Sequence, residues 1–264
     1  MKKSLMILLR KVLSKIHNQH FWESILQVTY KQMNIGDSGN FSQSGELFVA
    51  EFIKNKFNKE PSIVIFDVGA NVGYYSKALS DIFKTQAKIF AFEPSSKTFE
   101  LFLSTTKNIE NIIPNNLGFS DKEYNNTLFT NYEGSGYASL YKRRLDHSGI
   151  YMDITEDIKL TTIDSYCAKN NIERIHFLKL DIEGHELNAL KGANNMIHDK
   201  KVDFIQFEFG SCNIDSRTYF QDFYYFLKDN YTIYRILKNS IYELSNYRET
   251  YEIFMTTNFL AVKK

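Results

Sequence analysis

Asp181, Glu183, His185 and Glu208 stand at or just past the ends of apolar runs, where open α/β sheets gather their ligand-facing side chains. A carboxylate or an imidazole in such a place can take a proton from a hydroxyl. His185 suits the task by the ordinary pKa of its ring, and a carboxylate suits it once burial raises its proton affinity. Glu183 and Glu186 also fit a plainer role, capping the helix that starts there and complementing its dipole. Asp181 and Glu208 end neighbouring predicted strands and could bracket a divalent cation, but no dedicated ligand set is visible and no metal is assigned.

A second group, Asp67, Gly69, Asn71, Gly73 and Tyr74, follows the β-branched run Ile63–Val68 and precedes apolar or small residues at Tyr75, Ala78, Leu79 and Ile82. A run rich in β-branched residues reads as a strand buried on both faces, and the spacing after Gly73 as a helix. The piece is strand, glycine loop, helix. Backbone N–H groups and a helix N-terminus converge at such a loop, where a polar or anionic group can sit, although many α/β proteins carry one without a ligand. The next apolar run, Ala87–Phe92, ends in Glu93-Pro94. Glu93 lies about 20 residues beyond Gly73, the offset at which an acidic side chain grips a ribose diol in dinucleotide folds. Pro94 stops the strand and leaves Glu93 at its end. The loop has two glycines, not the three-glycine fingerprint of a pyrophosphate site, and Asp67 would repel a pyrophosphate. A nicotinamide-type oxidoreductase is therefore the second reading rather than the first.

The elements that must position these residues follow from the rest of the chain. Its 264 residues suffice for one α/β domain with an extension. Lys+Arg 32 against Asp+Glu 31 leaves no global field for nucleic acid. Cys167 and Cys212 lack zinc-ligand spacing and a disulfide framework, so a reduced cytoplasmic setting is expected. Residues 1–16 are basic and apolar at helical spacing, without a cleavage site. They read as a helix on the domain, a partner helix or a weak anchor at a membrane surface. Residues 34–44 read as a loop, dividing a 1–44 extension from a 45–264 domain. Residues 111–119 predict a third strand, and 127–130 and 157–163 additional ones. Gly134-Ser135-Gly136 and the basic segment 142–147 predict a mobile lip, its charges either solvated or forming a phosphate-binding edge. Strands at 176–180 and 202–207 follow, then a terminal strand pair at Tyr231–Leu237 and 254–262, which implies a mostly parallel sheet with one antiparallel strand near its end.

Phe66-Asp67-Val68-Gly69-Ala70-Asn71-Val72-Gly73-Tyr74-Tyr75-Ser76, Phe92-Glu93-Pro94, Leu117-Gly118-Phe119-Ser120-Asp121 and Leu178-Lys179-Leu180-Asp181-Ile182-Glu183-Gly184-His185-Glu186, with Leu190-Lys191-Gly192-Ala193 after them, resemble the FkbM-type family of class I methyltransferases over residues 45–262. The resemblance implies a three-layer Rossmann-like α/β sandwich with a seven-stranded sheet and S-adenosylmethionine as methyl donor. It implies hydroxyls of sugars, polysaccharides or polyketides as acceptors. By the same resemblance residues 67–74 cradle the methionine end and Glu93, beside Pro94, binds the ribose hydroxyls. Residues 117–121, with Gly118 and Ser120, flank the adenine, and Asp181 faces the sulfonium and the acceptor. The expected activity is O-methylation of a nucleotide-linked or glycan-attached sugar in surface polysaccharide synthesis. An amine, a non-sugar hydroxyl and the oligomeric state, a homo-oligomer included, stay open.

Overall fold

A computed structural model of the chain describes residues 7, 13–15, 17–36, 41 and 43–264. The reading of 1–16 as an amphipathic helix lies outside the described residues, apart from 7 and 13–15. Helix α1 (Gln19–Gln32) starts at Asn18, whose side chain accepts from the Phe21 N–H, and buries none of its residues. Among the described residues no helix is long and apolar enough to cross a membrane. Beyond α1 the chain is tied to the sheet: the Asn34 amide donates to the Ser44 and Ile236 carbonyls at 2.6 and 3.1 Å.

Helix α2 (Glu46–Lys56) leads into β1 (Ile63–Val68), α3 (Tyr74–Phe83), β2 (Ala87–Phe92), α4 (Ser96–Thr105) and β3 (Ile112–Asn115). Strands β4 (Gly118–Phe119), β5 (Tyr124–Thr130) and β6 (Ile154–Thr161) then form a separate small sheet, ordered β4-β6-β5. Next come α5 (Ile163–Lys169), β7 (Ile175–Leu180), α6 (Glu186–Lys191), α7 (Asn194–His198), β8 (Val202–Phe209), α8 (Cys212–Ser216) and α9 (Phe220–Leu227). The chain closes with β9 (Tyr231–Leu237), β10 (Ser240–Glu243) and β11 (Thr257–Lys263). The main sheet runs β10-β9-β11-β8-β7-β1-β2-β3. Strands β3, β2, β1, β7 and β8 run parallel to one another, and β11 runs antiparallel between β8 and β9.

The fold class is the one the sequence implies, an α/β sandwich with one antiparallel strand inserted near the end of a parallel sheet. An eighth strand, β10, hairpins back on β9 through Lys238-Asn239; that turn has no glycine, so its sequence signal is weak. The expected single strand over 111–119 is two strands in two sheets. Pro114 confines β3 to the sheet edge, where a missing N–H costs nothing, and Gly118 then pairs with Leu160 of the small sheet.

Side-chain alternation along β1 decides what each face receives. Phe66 and Val68 enter one core, with Phe92, Phe119, Tyr166 and Leu180; Ile63 and Ile65 enter the other, with Val49, Ile53, Leu79 and Phe177. Asp67 falls on the second face, in register with Lys179, which in turn is in register with Gln206. A buried polar row therefore crosses the three central strands.

Candidate active site

The strand order reverses direction between β1 and β7, since β2 and β3 lie to one side and β8 to the other. At such a switch point the loops after the strands part and leave a crevice. Gly69 and Asp181 meet there. The Asp181 N–H donates to the Val68 carbonyl at 3.0 Å, and a Cβ on Gly69, which sits at φ 83°, would collide with the Asp181 carbonyl. Only glycine serves at that position. The crevice opens into a cavity of about 1160 Å³ lined by Gly69, Asn71, Gly73, Tyr74, Glu93, Pro94, Gly118, Asp181, Glu183, His185 and Glu208, among other residues.

Glu93 is nearly buried at the end of β2. One carboxylate oxygen accepts from the Asn71 N–H at 3.1 Å and the other from the Ser95 N–H at 2.9 Å. Burial pushes its pKa up to about 7, against the pull of these two N–H groups. A carboxylate offers about four acceptor positions, so roughly two remain for hydroxyls on the cavity side. The glycine-rich lip is fastened over the loop: the Asn71 amide donates to the Ser135 carbonyl at 3.0 Å, and the Gly134 N–H to Thr98 Oγ1 at 3.2 Å. The glycine-rich part of the lip forms a bonded cover over residues 134–139, with Ser139 Oγ donating to the Glu183 carbonyl at 2.7 Å.

Two residues assigned to the cofactor from sequence do not line the cavity. Asp67 is fully buried on the α2–α3 face of the sheet, where it accepts from Ser76 Oγ at 2.5 Å and lies 4.0 Å from Lys179 Nζ. Burial raises its pKa, against Lys179 and Ser76. The alternation of β1 points Asp67 at the helices, and the crevice begins only beyond it. Ser120 is equally buried, bonded to His185 Nε2 at 2.9 Å. Its carbonyl packs where a side chain on Gly192 would fall, which accounts for a glycine in that motif.

The four candidate bases separate. His185 is buried and fully engaged: Nε2 faces Ser120 Oγ, while Nδ1 faces Tyr141 Oη at 3.0 Å and the Asn188 amide at 3.3 Å. Burial holds its pKa down at about 4, so the ring is neutral. Because an amide N–H can only donate, Nδ1 is the acceptor and Nε2 carries the proton toward Ser120. Asp181 is gripped from below by Lys179, Nζ to Oδ2 at 2.9 Å. Burial acts to lower Lys179, but Asp181, Asp67 and Glu46 outweigh it and hold the ammonium charged. Glu183, at φ 52°, pairs with the buried Arg143 guanidinium, which also donates to Ser211 Oγ at 3.0 Å. Burial and the neighbouring Asp181 and Glu186 carboxyls still raise Glu183 to about 8, against Arg143.

Glu208 lies one step past the register pair Leu180–Phe207, beside Asp181, and carries no hydrogen bond or ion pair among the described residues. Burial, then Asp181, Glu183 and Glu186, push its pKa well up. Glu186 closes the loop ahead of its helix: its carboxylate accepts from the Ile182 and Gly184 N–H groups at 2.8 to 3.1 Å. Glu183, Glu208 and Cys212 bring possible ligand atoms within 4.8 Å of one another. A cation there would have to displace Arg143 from Glu183 and take a proton from a thiol that burial holds well above its usual range. Sequence reasoning missed Lys179 and Arg143. A lysine inside the apolar run 178–180 is a signal for the first, whereas Arg143 is one of several cations in a row and nothing local marks it.

The family described as "Methyltransferase FkbM domain" matches residues 67–234, which hold most of the main sheet and most of the residues that line the cavity. The chain belongs to the FkbM methyltransferase family. That membership makes it a methyltransferase domain with S-adenosylmethionine as methyl donor, and sets aside the oxidoreductase alternative. Among relatives, it is 29% identical to the hexuronic acid methyltransferase AglP of Haloferax volcanii, over 55% of each chain. It is 25% identical to the AMB antimetabolite synthetase AmbE of Pseudomonas aeruginosa, over 59% of this chain and 9% of that one. The FkbM chain thus spans about half the length of the first relative and a small part of the second. The O-methyltransferase from Bacillus cereus in complex with SAH superposes with a TM-score of 0.44 at 12% identity, covering 97% of both chains. The crevice fits the FkbM cofactor on its own evidence: a loop where only glycine is tolerated, a strand-end carboxylate with acceptor positions left over, and ample volume.

Proposed function

We propose that residues 45–264 form the catalytic unit of an S-adenosylmethionine-dependent O-methyltransferase acting on a sugar hydroxyl, in a nucleotide-linked or glycan-attached residue of a surface polysaccharide made in the cytoplasm. The observation that carries this reading is Glu208, a carboxyl unbonded among the described residues that lines the cavity beside Asp181 at the switch point. The cofactor supplies an already activated methyl group, so the protein has to align and deprotonate the acceptor. The 69–73 loop holds the amino-acid end, Glu93 the ribose diol, and Gly118 and Pro94 the wall beside the base. Asp181, held by Lys179, orients the acceptor hydroxyl, and Glu208 takes its proton; crowding by Asp181, Glu183 and Glu186 strengthens Glu208 as a base. His185 holds the small sheet against the crevice as a positioning residue. An amine acceptor fits less well, because three carboxyl groups would keep it as a non-nucleophilic ammonium. The kinship to a hexuronic acid methyltransferase also favours a sugar.

The test incubates the chain with labelled donor and a panel of nucleotide sugars and glycan fragments. Label in an alkali-stable methyl ether is expected. Glu208→Gln should lower kcat by about 10²-fold or more with cofactor affinity intact, and the wild-type rate should rise with pH as Glu208 ionises. Label appearing on nitrogen, or full activity in Glu208→Gln, would remove the reading.

A further inference from the structure

We infer that the acceptor carries an oxyanion, a phosphate or a carboxylate, and that Arg144 and Arg217 at the rim of the cavity receive it while its hydroxyl points inward to Asp181 and Glu208. This deepens the reading above and rests on it. The basic segment 142–147 spends its charges unequally. Lys142 turns away to Asp153 at 3.3 Å, both exposed, and Arg143 is buried against Glu183. Arg144 and His147 are exposed yet line the cavity, and neither has an ion pair or hydrogen bond among the described residues.

Arg217 arrives from another direction. It ends α8 in the left-handed conformation, is exposed, lines the same cavity and is likewise unpaired among the described residues. The Arg143 to Ser211 bond at 3.0 Å ties the 142–147 segment to the start of α8, the short helix that Arg217 ends. Asp215, half-buried on α8, is the acid that lines the cavity with Arg144 and Arg217, whereas Asp146, exposed in the same segment as Arg144, is outside its lining.

The inner end has the opposite character: Asp181, Glu183 and Glu208, with Lys179 and Arg143 already taken by Asp181 and Glu183. Both cations of the inner end are thus occupied, and an anion is held instead at the rim, where guanidinium groups match the planar geometry of carboxylate and phosphate oxygens. The placement of the unpaired cations thus selects the orientation with the neutral hydroxyl inward. Tyr137, 41% exposed and lining the cavity, carries the Arg143 guanidinium 5.7 Å from its ring centre and offers a flat apolar surface to a sugar ring.

The experiment titrates pyrophosphate, glucuronate and glucose into the full chain saturated with S-adenosylhomocysteine, by calorimetry. At least one anion should bind about tenfold or more tighter than glucose, and each of Arg144→Gln and Arg217→Gln should weaken it about three- to tenfold. The double Gln variant should lose the preference and the double Lys variant retain part of it, with S-adenosylhomocysteine affinity unchanged in both. Pyrophosphate binding the tighter would identify a phosphorylated acceptor, glucuronate the tighter a uronate. No preference for anions in the wild type, or a preference that survives in the double Gln variant, overturns the inference. Failure of S-adenosylhomocysteine itself to bind would instead overturn the cofactor assignment.

Discussion

Glu93 is where pH acts most directly on the cofactor end of the site. Both its oxygens are already bonded to backbone N–H groups, and burial raises its pKa to about 7. Only the ionised carboxylate can also accept from two hydroxyls. Affinity for S-adenosylhomocysteine should therefore climb between about pH 6 and about pH 8, by up to tenfold per pH unit below the pKa, and Glu93→Gln should bind more weakly with a flat profile. Isothermal titration at several pH values checks this. The same shift has the opposite consequence for stability. A carboxyl whose folded pKa exceeds its unfolded value stabilises the fold fully below about 4.5, and that contribution is lost as pH rises through about 7. Glu93 is thus kept at a cost that ribose binding in its proposed role would offset.

At the level of elements, the turn from β1 to α3 is the least tolerant part of the molecule. Gly69 combines a positive φ with contact against the Asp181 backbone, so Gly69→Ala needs both a strained conformation and a shift of the β7 end. A loss of about 2 kcal/mol or more in urea unfolding is expected, with undetectable cofactor binding. The same turn was the clearest local signal in the chain, because a β-branched run, two glycines and a helical spacing agree with one another over few residues. The small sheet was less legible. Strands β5 and β6 announce themselves by composition, but β4 is two residues long and exists only because Leu160 and Thr161 pair with it. A pairing that spans some 40 residues leaves no local trace.

Across the whole molecule, the buried polar row links the helical layer to the crevice. Glu46 of α2 accepts from Gln206 Nε2 at 2.9 Å, Lys179 lies between Asp67 and Asp181, and the Lys179 ammonium sits 4.7 Å from the Tyr75 ring centre. Removing the central cation leaves buried carboxylates without compensation. Lys179→Met should cost about 3–5 kcal/mol in chemical denaturation and lower kcat through a disordered Asp181, while Lys179→Arg should recover part of the stability. An unchanged denaturation midpoint in Lys179→Met would show that the row carries no energetic weight.

The sequence by itself determined the strand–loop–helix core, the strand-end position of Glu93, the parallel centre of the sheet and the set of residues from which the site is drawn, since each depends on local periodicity, turn chemistry and short offsets. Only the tertiary structure decided which of those residues meet. Asp67 and Ser120 turn inward, His185 becomes a buried neutral link, Glu186 closes a loop and Glu208 is left without a bond among the described residues. The basic segment divides into a buried partner for Glu183 and an exposed rim. Those outcomes turn on contacts such as Arg143 with Glu183, Glu46 with Gln206 and Ser120 with His185. Their partners lie tens of residues apart, and what a side chain faces is fixed by the layer packed over it rather than by its own neighbours in the chain.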